Sequence, residues 1–164
     1  MAWAIILLAS GDAEHAERLV ARDRYRSRMR AWLETHSMHE YASQLRSRAE
    51  SEDLAAHPSE LRRLLERPDV LPTGVSAADV VGLLGKGSGV EAYAPAGHRA
   101  AILEEHALTP AAGGPVRIRW VTDELWPHLY QDGERRVPRT AILLDLLESE
   151  NPRARREAAR ALAR

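Results

Sequence analysis

The chain has 164 residues and no cysteine, which removes disulfide scaffolds, thiolate zinc sites, iron–sulfur clusters and thiol catalysis together. It also has no phenylalanine and only one lysine, Lys86, so its basic character is almost all arginine. That bias, with abundant alanine, reads as GC-rich codon usage rather than function. Charge of one sign is missing too: 23 basic against 24 acidic residues leave −1, excluding a uniformly basic nucleic-acid coat and a disordered acidic tail. Long hydrophobic runs are absent. The apolar stretch Ala2 to Ala9 falls far short of the ~20 residues of a spanning helix. Only Met1 precedes it, where a signal peptide would carry a positive segment, so the expectation is a short element docked on the core of a cytoplasmic protein.

With 45% hydrophobic residues the chain can bury a core, and its length suits one medium domain or a core with a helical extension. From Asp12 to Leu54 there is neither proline nor glycine, and Tyr25, Met29, Trp32 and Leu33 fall on one helical face. Ser37-Met38-His39-Glu40 fits a capping box, which starts a second helix with Tyr41 and Leu45 inward. Pro58 and Glu60 open a third through Leu61, Leu64 and Leu65, stopped before Pro68. Ser76 to Asp79 reads as another box, leading a helix that ends in Gly85-Lys86-Gly87-Ser88-Gly89. Val90 to Ala94 and Val116 to Val121 read as strands flanking a helix over 96–108, a βαβ unit with parallel strands. In the second strand Val116, Ile118 and Trp120 point inward, and Arg117 and Arg119 outward. A buried helix over 141–147 and a last one opened by Asn151-Pro152 complete the chain. The fold class is therefore α+β: a helical N-terminal region, 1–70, then a small mixed domain, 71–164, with the βαβ unit and C-terminal helices.

Each candidate site in the sequence also has a plain structural role. Arg18, Arg22, Arg26 and Arg30 recur every four residues, a face along which a phosphate backbone can lie; Glu14, Glu17, Asp23 and Glu34 are also placed to neutralise it. His36, His39 and Glu40 have near-metal spacing but not the His-Glu-x-x-His order, and no metal or cofactor is expected. The glycine run around Lys86 has the wrong order for a phosphate loop. Gly74-Val75-Ser76-Ala77-Ala78 resembles a nucleophile elbow, yet Ser76 is equally a helix cap. Residues 51–134 are net −6, and five arginines with one glutamate follow Glu150, which favours a binding protein with distinct faces. The strand arginines Arg117 and Arg119, Trp126, and Arg153, Arg155 and Arg156 of the last helix form the expected partner-binding edge.

Several loose patterns agree in order with one family. These are Ser76-Ala77-Ala78 leading to Gly82-Leu83-Leu84, then Val90-Glu91-Ala92-Tyr93-Ala94-Pro95, then the helix ending in Leu108 before Val116 to Val121. Val137-Pro138-Arg139, Leu144 to Ser149 and Pro152-Arg153 follow. Over residues 73–164 the chain resembles the C-terminal domain of abortive-infection type IV antitoxins, the AbiEi class of antitoxins and transcriptional regulators. The resemblance implies a non-catalytic antitoxin or regulator that counteracts a nucleotidyltransferase-type toxin and binds promoter DNA. The family's usual N-terminal winged helix has no counterpart here, since residues 1–70 offer no strand pair for a wing. The alternative is a small α+β enzyme whose site assembles from distant residues such as Ser76, His98 and Asp123.

Overall fold

The computed structural model describes residues 1–20, 23–83, 89–129, 134 and 136–163. In chain order the elements are α1 (Ala2–Ala9), α2 (Ala13–Arg18), α3 (Asp23–Thr35), α4 (Met38–Tyr41), β1 (Glu50–Ala55), α5 (Glu60–Leu65) and β2 (Leu71–Pro72). There follow β3 (Val90–Pro95), α6 (Arg99–Glu105), β4 (Thr109–Pro110), β5 (Val116–Val121), α7 (Arg139–Leu147) and α8 (Pro152–Leu162). The fold is α+β. No helix among the described residues is long and apolar enough to cross a membrane.

The chain divides into two compact units, and one is inserted in the sequence of the other. Met1–Arg48 and Pro138–Arg164 make a helical unit, and Ala49–Val137 make a sheet unit. The boundary expected near residue 70 falls inside the sheet unit.

In the helical unit, α1 is buried through Trp3, Ala4, Ile6 and Leu7, and the core joins Ala4 and Leu7 to Ala16, Val20 and Met29. Local chemistry sets the helix starts. Asp12 accepts from the His15 amide at 3.1 Å, Glu40 accepts from the Ser37 amide at 2.9 Å, and Asn151 accepts from the Arg153 amide at 2.9 Å, each satisfying a donor that the helix itself leaves open. The Ser37 amide, which donates to Glu40, also holds the Glu40 carboxyl below its ordinary range. Tyr41, expected inward, has a side chain outside the described residues. The two separated stretches of chain are joined by Arg48. Its side chain is buried against the fully buried Asp145 of α7 and reaches Glu148 at 3.0 Å, and its carbonyl accepts from the Trp3 indole at 2.6 Å.

The sheet unit holds five strands in the order β2-β3-β5-β1-β4. β3 and β5 are parallel, as a strand–helix–strand unit requires; β1 lies antiparallel on the other side of β5. One sheet face carries Leu54, Val90, Ala92, Ala94, Val116, Ile118 and Trp120 into a core completed by Leu64, Val70, Ile102 and Leu108.

Three expectations are corrected here. Residues 1–70 are not all helical, because Glu50–Ala55 forms β1. Its acidic sequence hides a strand stabilised from outside: Glu52 takes the Arg99 guanidinium at 2.8 Å and the Trp120 indole at 2.8 Å, and Asp53 takes Arg117 at 2.6 Å. Next, the helix expected from Ser76 is a 3₁₀ stretch, Gly74–Val81, kinked at Ala77. The Ser76 hydroxyl accepts from the Glu91 amide at 2.9 Å instead of capping a helix. Finally, Arg119 does not face solvent. The second face of the sheet is also covered, Tyr93, Arg119 and Val121 upon it being buried, and Arg119 pairs with Glu91 at 3.2 Å. Gly74, at φ +49°, leaves room for that glutamate: a Cβ there would stand 2.0 Å from a Glu91 carboxylate oxygen.

Candidate interaction surfaces

α8 is the simplest surface to build. Ala154, Ala158 and Leu162 follow one another at four-residue steps, and Ala158 and Leu162 are buried, so the helix turns that stripe inward. Arg153, Arg155, Arg156 and Arg160 are then forced outward and are exposed. Arg153 is held by Glu157 at 2.9 Å, one turn on. Among the described residues, Arg155, Arg156 and Arg160 have no carboxylate partner. Arg160 was not among the residues expected at the interface, although its four-residue step from Arg156 was readable.

The β5 part of the expected edge fails as a surface. Arg119 is 1% exposed and Trp126 is 7% exposed, so neither is available to a partner. Arg117 remains half-exposed, but Asp53 engages it through both Nε (2.6 Å) and Nη2 (3.1 Å). That fork keeps the Asp53 carboxyl below its ordinary range. The physical reason for the Arg119 correction is that β5 is a central strand with two covered faces, where alternation no longer separates inside from outside; Trp126 is buried in the turn Trp126–His128 that follows the strand.

The four-step arginine set of α2 and α3 is largely taken up locally. Arg18 pairs with Glu14, Arg30 pairs with Glu17, and Arg26 donates to the Val20 carbonyl at 2.9 Å. Arg22 lies outside the described residues. The exposed cations of α3 without a carboxylate partner among the described residues are Arg24, whose guanidinium lies 4.8 Å over the Tyr25 ring, and Arg28.

The sheet unit has a cleft of about 490 Å³, lined by Arg63, Arg67, Asp69, His98, Glu105 and His106 among others. Arg67 grips Asp69 with two nitrogens at 2.8 and 2.9 Å, and His98 Nδ1 meets the same carboxylate at 2.8 Å. Arg67 foremost, then His98, bring the Asp69 carboxyl down to about 2. His98 Nδ1 thus faces a carboxylate, a pairing that orients the imidazole ring. Deeper in, His106 Nδ1 meets Glu60 at 2.9 Å. These partners are 29 and 46 positions apart, beyond any spacing pattern. The trio Ser76, His98 and Asp123 is not joined by hydrogen bonds: Ser76 serves Glu91, His98 serves Asp69, and Asp123 accepts from the Gly97 amide at 3.0 Å. Nor is Ser76 in an elbow, which needs a strand before it and a helix after. The glycine run lies mostly outside the described residues, as residues 84–88 do. Among the described residues no three His, Asp or Glu are placed to hold a metal ion, and Glu40 is occupied by its capping box.

In comparisons with known proteins, no family model, curated protein or solved structure matches the chain.

Proposed function

We propose that this chain is a non-catalytic binding protein of antitoxin type, which neutralises a nucleotidyltransferase-type toxin by contact through α8. The observation that carries the reading is the exposed set Arg155, Arg156 and Arg160, which the fold presents without a carboxylate partner among the described residues. Arginine suits such a role because its planar fork pairs with carboxylates in two-bond geometry and is weakly hydrated. The resemblance over 73–164 narrows the partner to a nucleotidyltransferase and adds promoter DNA as a second ligand. The test is co-expression with the product of the adjacent open reading frame. Co-purification of a nucleotidyltransferase and restored growth of cells expressing it support the reading. Free growth inhibition with no complex, or a metabolic operon in place of a nucleotidyltransferase, defeats it.

A small-enzyme reading has the His98–Asp69 pair in its favour. In that case a small molecule occupying the 490 Å³ cleft raises the melting temperature of the wild type but not of His98→Gln.

A further inference from the structure

We infer that α3 carries a binding site for single-stranded nucleic acid, built from Arg24, Arg28, Trp32 and His36 and separate from the α8 surface. These four residues succeed one another at steps of four, so they form one ridge along the helix and its first following turn. Each step advances about 6 Å along the axis, comparable with the spacing of successive phosphates in an extended single strand.

The two ends of the ridge differ in chemistry. At the N-terminal end, Arg24 lies over the Tyr25 ring and donates to its hydroxyl at 3.1 Å, and Arg28 is exposed with no carboxylate partner among the described residues. At the C-terminal end the Trp32 and His36 rings stack, with centroids 5.0 Å apart and planes within 8° of parallel. His36 is exposed, and Trp32 is only half-buried where Trp3, Trp120 and Trp126 are buried. The His36 member of the stack lines an open groove of about 720 Å³, whose walls also include Leu8, Arg30, Leu33, Glu34 and Met38. Cations next to flat aromatic faces, with room for a nucleotide-sized group beside them, are the combination that holds unpaired bases: phosphates meet the guanidinium groups and bases stack on the rings. A duplex keeps its bases stacked on one another and gains from the arginines alone.

The test uses the intact protein with fluorescein-labelled oligo(dT) and oligo(rU) of about 20 nucleotides, read by anisotropy and by tryptophan emission at about 50 mM salt. Since Trp32 is half-buried and the other three tryptophans are buried, quenching by unlabelled oligonucleotide reports on the ridge. The expected result is saturable binding with quenching, weakened steeply by salt. Arg24→Ala with Arg28→Ala weakens it tenfold or more. His36→Ala, at an exposed position with little bearing on folding, weakens it about tenfold through lost stacking. Unequal affinity for oligo(dT) and oligo(rU) tells DNA from RNA as the source of the strand. The proposal is overturned if neither oligonucleotide binds, if an equal-length duplex binds as tightly without quenching, or if poly-glutamate competes as well as the oligonucleotide. That last outcome reduces the ridge to a collector of polyanions or acidic protein. None of these outcomes touches Arg155, Arg156 or Arg160, so the fate of the α8 reading is decided separately.

Discussion

The two units use the same residue type in opposite ways. In the sheet unit the six arginines from Arg62 to Arg119 each meet a carboxylate: Glu66, Glu60, Asp69, Glu52, Asp53 and Glu91 in turn. In the helical unit Arg24, Arg28, Arg46, Arg155, Arg156 and Arg160 meet none among the described residues. The sequence totals agree with this division. The helical unit holds fourteen basic and ten acidic residues, the sheet unit nine and fourteen. Arginines of the first kind fasten a sheet together, and those of the second kind carry the proposed interaction surfaces. Counting charges cannot separate the two uses; only the partners can.

The comparison breaks most sharply at Arg48, the one buried arginine among the helical unit's described residues. Arg48→Met should remove the guanidinium paired with the fully buried Asp145, at a cost of about 3 to 5 kcal/mol. Urea titration followed by tryptophan emission measures it, since Trp3 donates to the Arg48 carbonyl. A midpoint equal to wild type would show that the two separated stretches are held by other means. On the sheet side, Trp120→Ala empties the middle of the core and should cost about 3 to 5 kcal/mol. Arg119→Ala, which on an exposed face would scarcely matter, should also cost about 3 kcal/mol, because Glu91 is left behind in a covered layer.

A smaller effect depends on pH. The Asp69 carboxyl sits at about 2 in the folded chain against an ordinary value of 3.8. A depressed carboxyl contributes stability that is complete above its unfolded pKa and lost as pH falls through the folded one. The contribution, on the order of 2 kcal/mol, should therefore disappear between about pH 4 and pH 2. Asp69→Asn should flatten that part of the stability profile, and a parallel loss in wild type and variant would separate Asp69 from the acid response.

Much of the fold was legible because local chemistry and tertiary demand coincide. The strand Val116 to Val121, its parallel pairing with Val90–Pro95, the Ser37–Glu40 box and the Asn151-Pro152 start all appear where the pattern placed them. β1 was illegible: Glu-Ser-Glu-Asp has no strand propensity of its own, and its partners Arg99 and Arg117 lie 47 and 64 positions away. Arg119 misled for a related reason. A period of two shows which residues share a face, not whether the opposite face meets water. Helical period puts Trp32 on one face with Tyr25, Met29 and Leu33, but does not show that it is only half-buried and stacks with His36.

The claim that the helical unit's unpaired arginines act outward is tested most directly by one variant, Arg155→Ala with Arg156→Ala and Arg160→Ala. Its melting temperature and its affinity for the proposed nucleotidyltransferase partner are measured on one preparation. The account predicts stability within about 0.5 kcal/mol of wild type and affinity reduced tenfold or more. Unchanged affinity with unchanged melting would contradict it and leave α8 as an ordinary solvated helix.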